Sequence, residues 1–327
     1  MSKIIEDPDS LDPMQDKISG EIASLGLQAY ISELDENGLT VIRPEVACPG
    51  GLSNRLLDAC LRVAGRRNGA SPDLESDVGY SPKNSERFQG VLGSKDGDSP
   101  IGDLMQSILL EDEVFEEAMV NPVLLAIATY LCGYSSVLYS MGCFIKGTNN
   151  TELPLHADTD GPSPLPSHAS VVNLTYALTE FNRENGATAF VPGSHLWCRN
   201  PVGKETRVVD NSQAVAVECE AGSLVCWHGN TWHGAYNRVA GGLRVSIPLV
   251  IARPHVRTQE NLIDRVPKQI LERNPARFSI LTQQGLYKGW GNQEEAISGG
   301  ERAAKCQAAY AQELGINPAR HVQSLFA

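Results

Sequence analysis

From Gly20 to Leu34, apolar side chains recur at Ile22, Leu25, Leu27, Tyr30, Ile31 and Leu34, a spacing that predicts one short helix. The turn signal Glu36-Asn37-Gly38 leads into GLTVIRP (38–44), a predicted strand. LSNRLLDACLRVAG (52–65) has a Ser53/Asn54 start and a Gly65 stop, which predicts a helix. Residues 66–86, rich in Gly, Ser, Pro and Asp, read as loop, and two or three further helices fill 101–132, with Asn121-Pro122 between them. At Tyr134 the pattern changes. SVLYSMGCFIKG (136–147), SVVNLTYALTEF (170–181), ATAFVPG (187–193), AVAVECEAGSLVCWH (214–228) and GLRVSIPLVIA (242–252) are short β-rich runs punctuated by Gly, Pro and Asn. That spacing predicts a mainly β sandwich or barrel. After Pro254 the pattern is polar and helical again. We therefore expect one domain over 1–327: a flexible tail at 1–20, mostly helical support at 21–134, a β-barrel core at 135–255 and a helical cover at 256–327.

Composition narrows the function classes. At 327 residues, 42% hydrophobic and 20% charged, the chain can bury a sizeable core. Its 27 Lys and Arg against 39 Asp and Glu leave a net charge of −12, with no basic block to grip phosphates, so nucleic acid is not the expected partner. The opening MSKIIEDPDSLDPMQDK is acidic and polar, unlike a signal peptide. The best apolar run, Pro122 to Cys132, falls short of the roughly 18 residues a membrane span needs and reads as a core helix. We expect a cytoplasmic protein without a membrane partner, with a homodimer as the candidate assembly. The eight cysteines show no CxxC spacing and are expected to be reduced thiols.

The candidate chemistry lies in two segments. In LPLHADTDG, His156 and Asp158 are two residues apart, and on an extended strand such positions share a face. One imidazole and one carboxylate can then bind a single cation, although an isolated HxD is also common on surfaces. VCWHGNTWHGAYNRVAGGLRVSIPL adds His228 and His233. Five residues apart on a straight strand they would face opposite ways, so only one is expected to join. Two histidines and a carboxylate make the facial triad of non-haem Fe(II) oxygenases, which leaves positions open for a bidentate 2-oxoacid and O2. The cosubstrate's other end needs a cation. Arg244 can pair bidentately with a carboxylate, and Ser246 two residues on can add a hydroxyl. Arg244 follows His233 by eleven residues through the turn-rich AYNRVAGG, and a hairpin of that length would return it close to the metal.

PLHAD, NGATAFVPGSHLW, AGSLVCWHGNTWHG and GLRVSIPL together resemble the phytanoyl-CoA dioxygenase family of Fe(II)/2-oxoglutarate oxygenases, most closely its fungal and bacterial biosynthetic branch. The motif-bearing similarity covers about residues 135–255. It implies a double-stranded β-helix, a jelly-roll barrel of cupin type, with Fe(II) as cofactor and 2-oxoglutarate and O2 as cosubstrates. His156, Asp158 and His233 match the ligands, and Arg244 matches the anchor of the distal carboxylate. Thr188 matches a hydroxyl that contacts the cosubstrate, and Asn173 an inward polar position near its other carboxylate. Relatives often carry Gln three residues before the first ligand, where this chain has Leu153. The implied activity is hydroxylation, desaturation, epoxidation or rearrangement of a small, largely apolar organic molecule in secondary metabolism.

Rival readings are a fatty-acyl or amino-acid hydroxylase, a halogenase, a zinc or manganese cupin without 2-oxoglutarate, and a non-catalytic binder. Asp158 opposes the halogenase, which needs a small residue there, and Arg244 with Ser246 opposes the cupin. Other features have simpler readings. Pro192-Gly193-Ser194-His195 reads as a tight turn, His168 as a loop residue and Arg66-Arg67 as a short basic pair. Trp227 and Trp232 read as core, with pocket lining as the rival. Tyr139, Met141 and Cys143 are placed on one strand face that either lines the pocket or packs the core.

Overall fold

The computed structural model describes residues 13–69, 71–75, 99–161 and 163–315. Helices α1 (Pro13–Ser24), α2 (Gln28–Asn37), α3 (Pro44–Ala47) and α4 (Leu52–Asn68) surround the first strand, β1 (Leu39–Ile42). After β2 (Asp103–Gln106) come α5 (Glu113–Met119) and α6 (Pro122–Cys132). The β-rich part follows as β3 (Val137–Lys146), β4 (Leu153–His156), β5 (Val171–Ala177), β6 (Thr188–Phe190), β7 (Val215–Ala216), β8 (Leu224–His228), β9 (His233–Ala235) and β10 (Arg244–Ala252). Helices α7 (Lys268–Arg273), α8 (Ala276–Leu281) and α9 (Gln293–Glu313) close the described chain.

Two antiparallel sheets result. One has six strands in the order β1-β8-β5-β10-β3-β2, the other four in the order β4-β9-β6-β7. The outer face of the larger sheet carries the main core, where α6 packs on β5 through Leu124, Ile127, Leu174 and Tyr176. Asn121 caps α6 by accepting from Val123 N at 2.9 Å, and its amide donates to Ala47 O at 2.7 Å. Among the described residues no single helix is long and apolar enough to cross a membrane. The bent pair α5–α6 would pass together, yet it is part of this buried core.

Several predicted elements fall elsewhere. The helix expected at 20–34 is two, because Gly26 adopts φ +68° and ends α1. Residues 13–20 of the expected tail are helical, and 1–12 lie outside the described residues. Helix α4 runs through Gly65 to Asn68, since Gly65 keeps helical geometry and Gly69 supplies the left-handed cap. Arg66 and Arg67 therefore belong to its last turn and pair with Glu111. Of the loop expected at 66–86, residues 70 and 76–86 also lie outside the described chain. The all-helical expectation for 101–132 misses β2, a four-residue strand whose partner, β3, is distant in sequence. The run 214–228 divides at Gly222 into β7 and β8, which belong to different sheets. All eight cysteines are free thiols.

Candidate metal centre

His156 ends β4 and His233 begins β9, and these antiparallel strands place the two residues directly opposite one another. Their rings lie 4.3 Å apart. Just beyond β4, the amides of Asp158 and Thr159 both donate to Gly229 O, at 2.8 and 3.2 Å. A Cβ at Gly229 would sit 2.4 Å from Val171 Cγ2 and 2.8 Å from Val171 O, so only glycine allows this close approach. The turn brings the Asp158 carboxylate to 3.2 Å from His233 Nε2 and 3.5 Å from His156 Nε2. One donor atom from each residue lies within 4.8 Å of the others.

The rings are oriented for a cation. His156 Nδ1 lies 2.9 Å from Pro154 O, and His233 Nδ1 3.0 Å from Thr231 O. A carbonyl only accepts, so each Nδ1 carries the proton and each Nε2 offers its lone pair to the centre. Asn173, on β5, donates to Asp158 Oδ2 at 2.7 Å and fixes the carboxylate. Burial alone would raise the Asp158 pKa, but His233 and His156 hold it well below the usual carboxylate range. Burial likewise works against a proton on His156, yet the bond to Asp158 outweighs it and leaves that pKa raised. Two neutral imidazole nitrogens and one ionised carboxylate are a donor set that suits iron.

The triad opens into a cavity of about 560 Å³ between the two sheets. Arg244, Ser246, Pro248 and Val250 line it from alternate positions of β10, Asn173 and Thr175 from β5, and Thr188 from β6. Arg244 is buried. Its guanidinium donates to Gly186 O and stacks 4.7 Å from the centre of the Phe181 ring, while Nε has no hydrogen-bond partner among the described residues. Burial, then the neighbouring Arg238, lower its pKa to about 10, so it remains a cation near neutrality. Ser246 is buried beside it. Leu153, at the position where the resembled relatives carry Gln, also lines the cavity.

Arg244 does not arrive by a hairpin from β9. Strands β9 and β10 lie in different sheets, and Arg244 pairs with Lys146 on β3. The eleven-residue link instead carries the chain from one wall of the cavity to the other. His228 ends β8 in the larger sheet, accepts from Asn230 N through Nδ1 at 3.0 Å, and is absent from the cluster. Tyr139, Met141 and Cys143 do not form one pocket face, because a bulge leaves Tyr139 without a partner in β10: Ser140 pairs with Val250 and Leu138 with Ile251. Parity changes there, so Ser140, Gly142 and Phe144 line the cavity together with Tyr139 and Met141, whereas Cys143 is sealed in the core. Trp227 lines the cavity 5.1 Å from the His233 ring, while Trp232 is core and donates to Arg199 O at 2.7 Å. Ser194 accepts from Trp232 N at 2.8 Å, as a structural turn would. His168 is an exposed loop residue. Gln259 and Glu260 line the far wall from a segment without a motif, so no linear pattern marks them.

The chain is similar to several known proteins. "Dioxygenase af480" of Aspergillus fumigatus is 28% identical over 165 residues, covering 49% of this chain and 52% of that protein. "Dioxygenase cdmA" of Talaromyces verruculosus is 35% identical over 121 residues, 37% of each chain. The chain thus spans about half the length, or less, of these two relatives. HygX of Streptomyces hygroscopicus, solved with nickel and 2-oxoglutarate bound, superposes with a TM-score of 0.54 over 71% of this chain and 89% of its own, at 14% identity, a likeness of fold. The family model described as phytanoyl-CoA dioxygenase (PhyH) matches residues 34–246, which hold the triad and Arg244. The chain belongs to that family.

Proposed function

We propose that this chain is an Fe(II)- and 2-oxoglutarate-dependent oxygenase acting on a small organic molecule, with its two sheets forming a double-stranded β-helix around the site. One observation carries the proposal: a three-donor metal cluster and a buried arginine without an acidic partner among its hydrogen bonds face the same cavity. A metal cluster alone would suit a zinc or manganese cupin. The buried guanidinium additionally asks for an anion, and the distal carboxylate of 2-oxoglutarate supplies one.

In this assignment His156 Nε2, His233 Nε2 and a carboxylate oxygen of Asp158 hold the iron, and Asn173 keeps that carboxylate in place. Arg244 and Ser246 hold the far carboxylate of 2-oxoglutarate, with Thr188 on the facing wall. Iron, when bound, supplies the centre at which O2 oxidises 2-oxoglutarate to succinate and CO2 and becomes competent to oxidise the substrate. The protein binds, orients and excludes water. One catalytic domain, a cytoplasmic setting and action in secondary metabolism are part of the same proposal, and the dioxygenase names of the fungal relatives support its oxygenase part. The test is turnover of the purified chain with Fe(II), O2 and 2-oxoglutarate. Succinate should form at a basal rate that a chelator abolishes. A chain that binds iron yet forms no complex with 2-oxoglutarate would point to the cupin instead.

A further inference from the structure

The wall facing away from Arg244 carries charge of the opposite sign. Asp160 and Glu260 line it with Gln106, Ser107, Tyr139 and Gln259, and Arg244 is the one arginine or lysine lining the cavity among the described residues. Glu260 is buried, whereas Asp160 and Gln259 are exposed at the rim. Its Oε1 accepts from Met141 N at 2.7 Å, while Oε2 has no hydrogen-bond partner among the described residues. Burial pushes its carboxyl above the usual range, against smaller opposing effects from the Met141 and Ser107 amides and from Arg67. A buried carboxylate oxygen left without a donor is unfavourable unless something arrives to use it.

The position is fixed by the bulge in β3. With Tyr139 out of register, its carbonyl accepts from both Gln259 N and Glu260 N, at 3.1 and 3.0 Å. Gln283 and Thr258 donate to Glu260 O, at 2.8 and 2.7 Å. Glu260 meets β3 at Met141, which pairs with Leu249, five residues along β10 from Arg244. At about 3.3 Å per residue, that puts roughly 16 Å of strand between the two charges. Tyr139 lines the same cavity, and burial, then Asp160 and Asp158, push its hydroxyl pKa up. The cavity is therefore polarised, with a cation on one stretch of its wall and carboxylates on another.

We propose that Glu260 is a specificity residue that anchors a protonated amine of the substrate, so that the enzyme oxidises a small organic amine. This deepens the oxygenase assignment and rests on it. A carboxylate is an acceptor only, and Asp160 at the rim adds the same sign of charge, so an ammonium group fits better than a neutral hydroxyl.

Matched probes test the idea in the full chain loaded anaerobically with Fe(II) and 2-oxoglutarate. Tryptamine is titrated against tryptophol, and cyclohexylmethylamine against cyclohexylmethanol, by their perturbation of the iron–2-oxoglutarate charge-transfer band. A charge-assisted hydrogen bond predicts that each amine binds on the order of ten- to a hundredfold more tightly than its alcohol. Glu260→Gln, which keeps an oxygen for Met141 N, should bring that ratio close to one without moving 2-oxoglutarate affinity or Tm, and Glu260→Asp should restore part of it. Equal binding of amine and alcohol by the parent overturns the proposal without need of any variant. So does a preference that survives in Glu260→Gln. Failure of the charge-transfer band to form on the parent instead removes the oxygenase assignment, and is seen before any probe is added.

Discussion

Asp158 shows what a single side chain does here: it accepts from Asn173 and faces two imidazoles, so each neighbour depends on it. His156→Ala, Asp158→Ala and His233→Ala should each lose iron and activity, whereas His228→Ala should keep measurable iron. Metal analysis of the four purified variants decides this, and iron loss from His228→Ala with retention in His233→Ala would reverse the assignment. Arg244 is tested differently, because its proposed partner is the cosubstrate. Removing one partner of a buried charge pair costs about 3–5 kcal/mol, which is about a hundred- to a thousandfold in affinity. Arg244→Ala should weaken 2-oxoglutarate by that order, Arg244→Lys should recover part, and both should still bind iron. The charge-transfer band followed on adding 2-oxoglutarate to anaerobic Fe(II) protein reads the difference. These residues were legible in the sequence because an HxD pair and a downstream Arg-x-Ser are local patterns. Glu260 was not, since its setting depends on a bulge in β3, far earlier in the chain.

At the scale of elements, the site depends on a short pairing that the sequence did not reveal. Strands β4 and β9 have four and three residues, too few for alternation to show. The long strands β3, β5 and β10 were legible because seven to ten residues of apolar, β-branched texture exceed what loops supply. Gly234 holds the short pair together. A Cβ there would meet Leu153 O at 2.3 Å and Pro154 C at 3.1 Å, both backbone atoms of β4. Gly234→Ala should force β4 from β9 and move His156 away from His233. We expect a loss of about 1–3 kcal/mol of stability, as overpacking usually brings, together with weaker iron binding. Denaturant midpoints and iron titration on the same samples check both effects, and unchanged iron affinity would show that β4 carries His156 independently of this contact.

For the molecule as a whole, an acidic chain of net charge −12 keeps basic side chains in its interior, and that sets its response to acid. Linear patterning could place the β core but not the cavity, whose walls draw on residues from Pro100 to Glu260 and from both sheets. Nor could it show that His228 is buried, 6% exposed, and held neutral. Burial first, then His195, His168 and Arg253, push its pKa down from 6.5 to about 4. Burial lowers His195 in the same direction. Above pH 6.5 neither folded nor unfolded chain protonates His228, and below about 4 both do. Between those limits the unfolded chain takes up a proton that the folded chain refuses, so stability falls as the pH drops through that window. At about 1.36 kcal/mol per pH unit, the loss from His228 alone accumulates to about 3 kcal/mol. His228→Asn should remove this component, because an amide oxygen can still accept from Asn230 N and does not titrate. Urea midpoints of metal-free parent and variant should converge as the pH falls from 6.5 towards 4, the parent losing more. Parallel curves across that range would mean that the folded protein tolerates a charged His228, and that the acid response originates at another group.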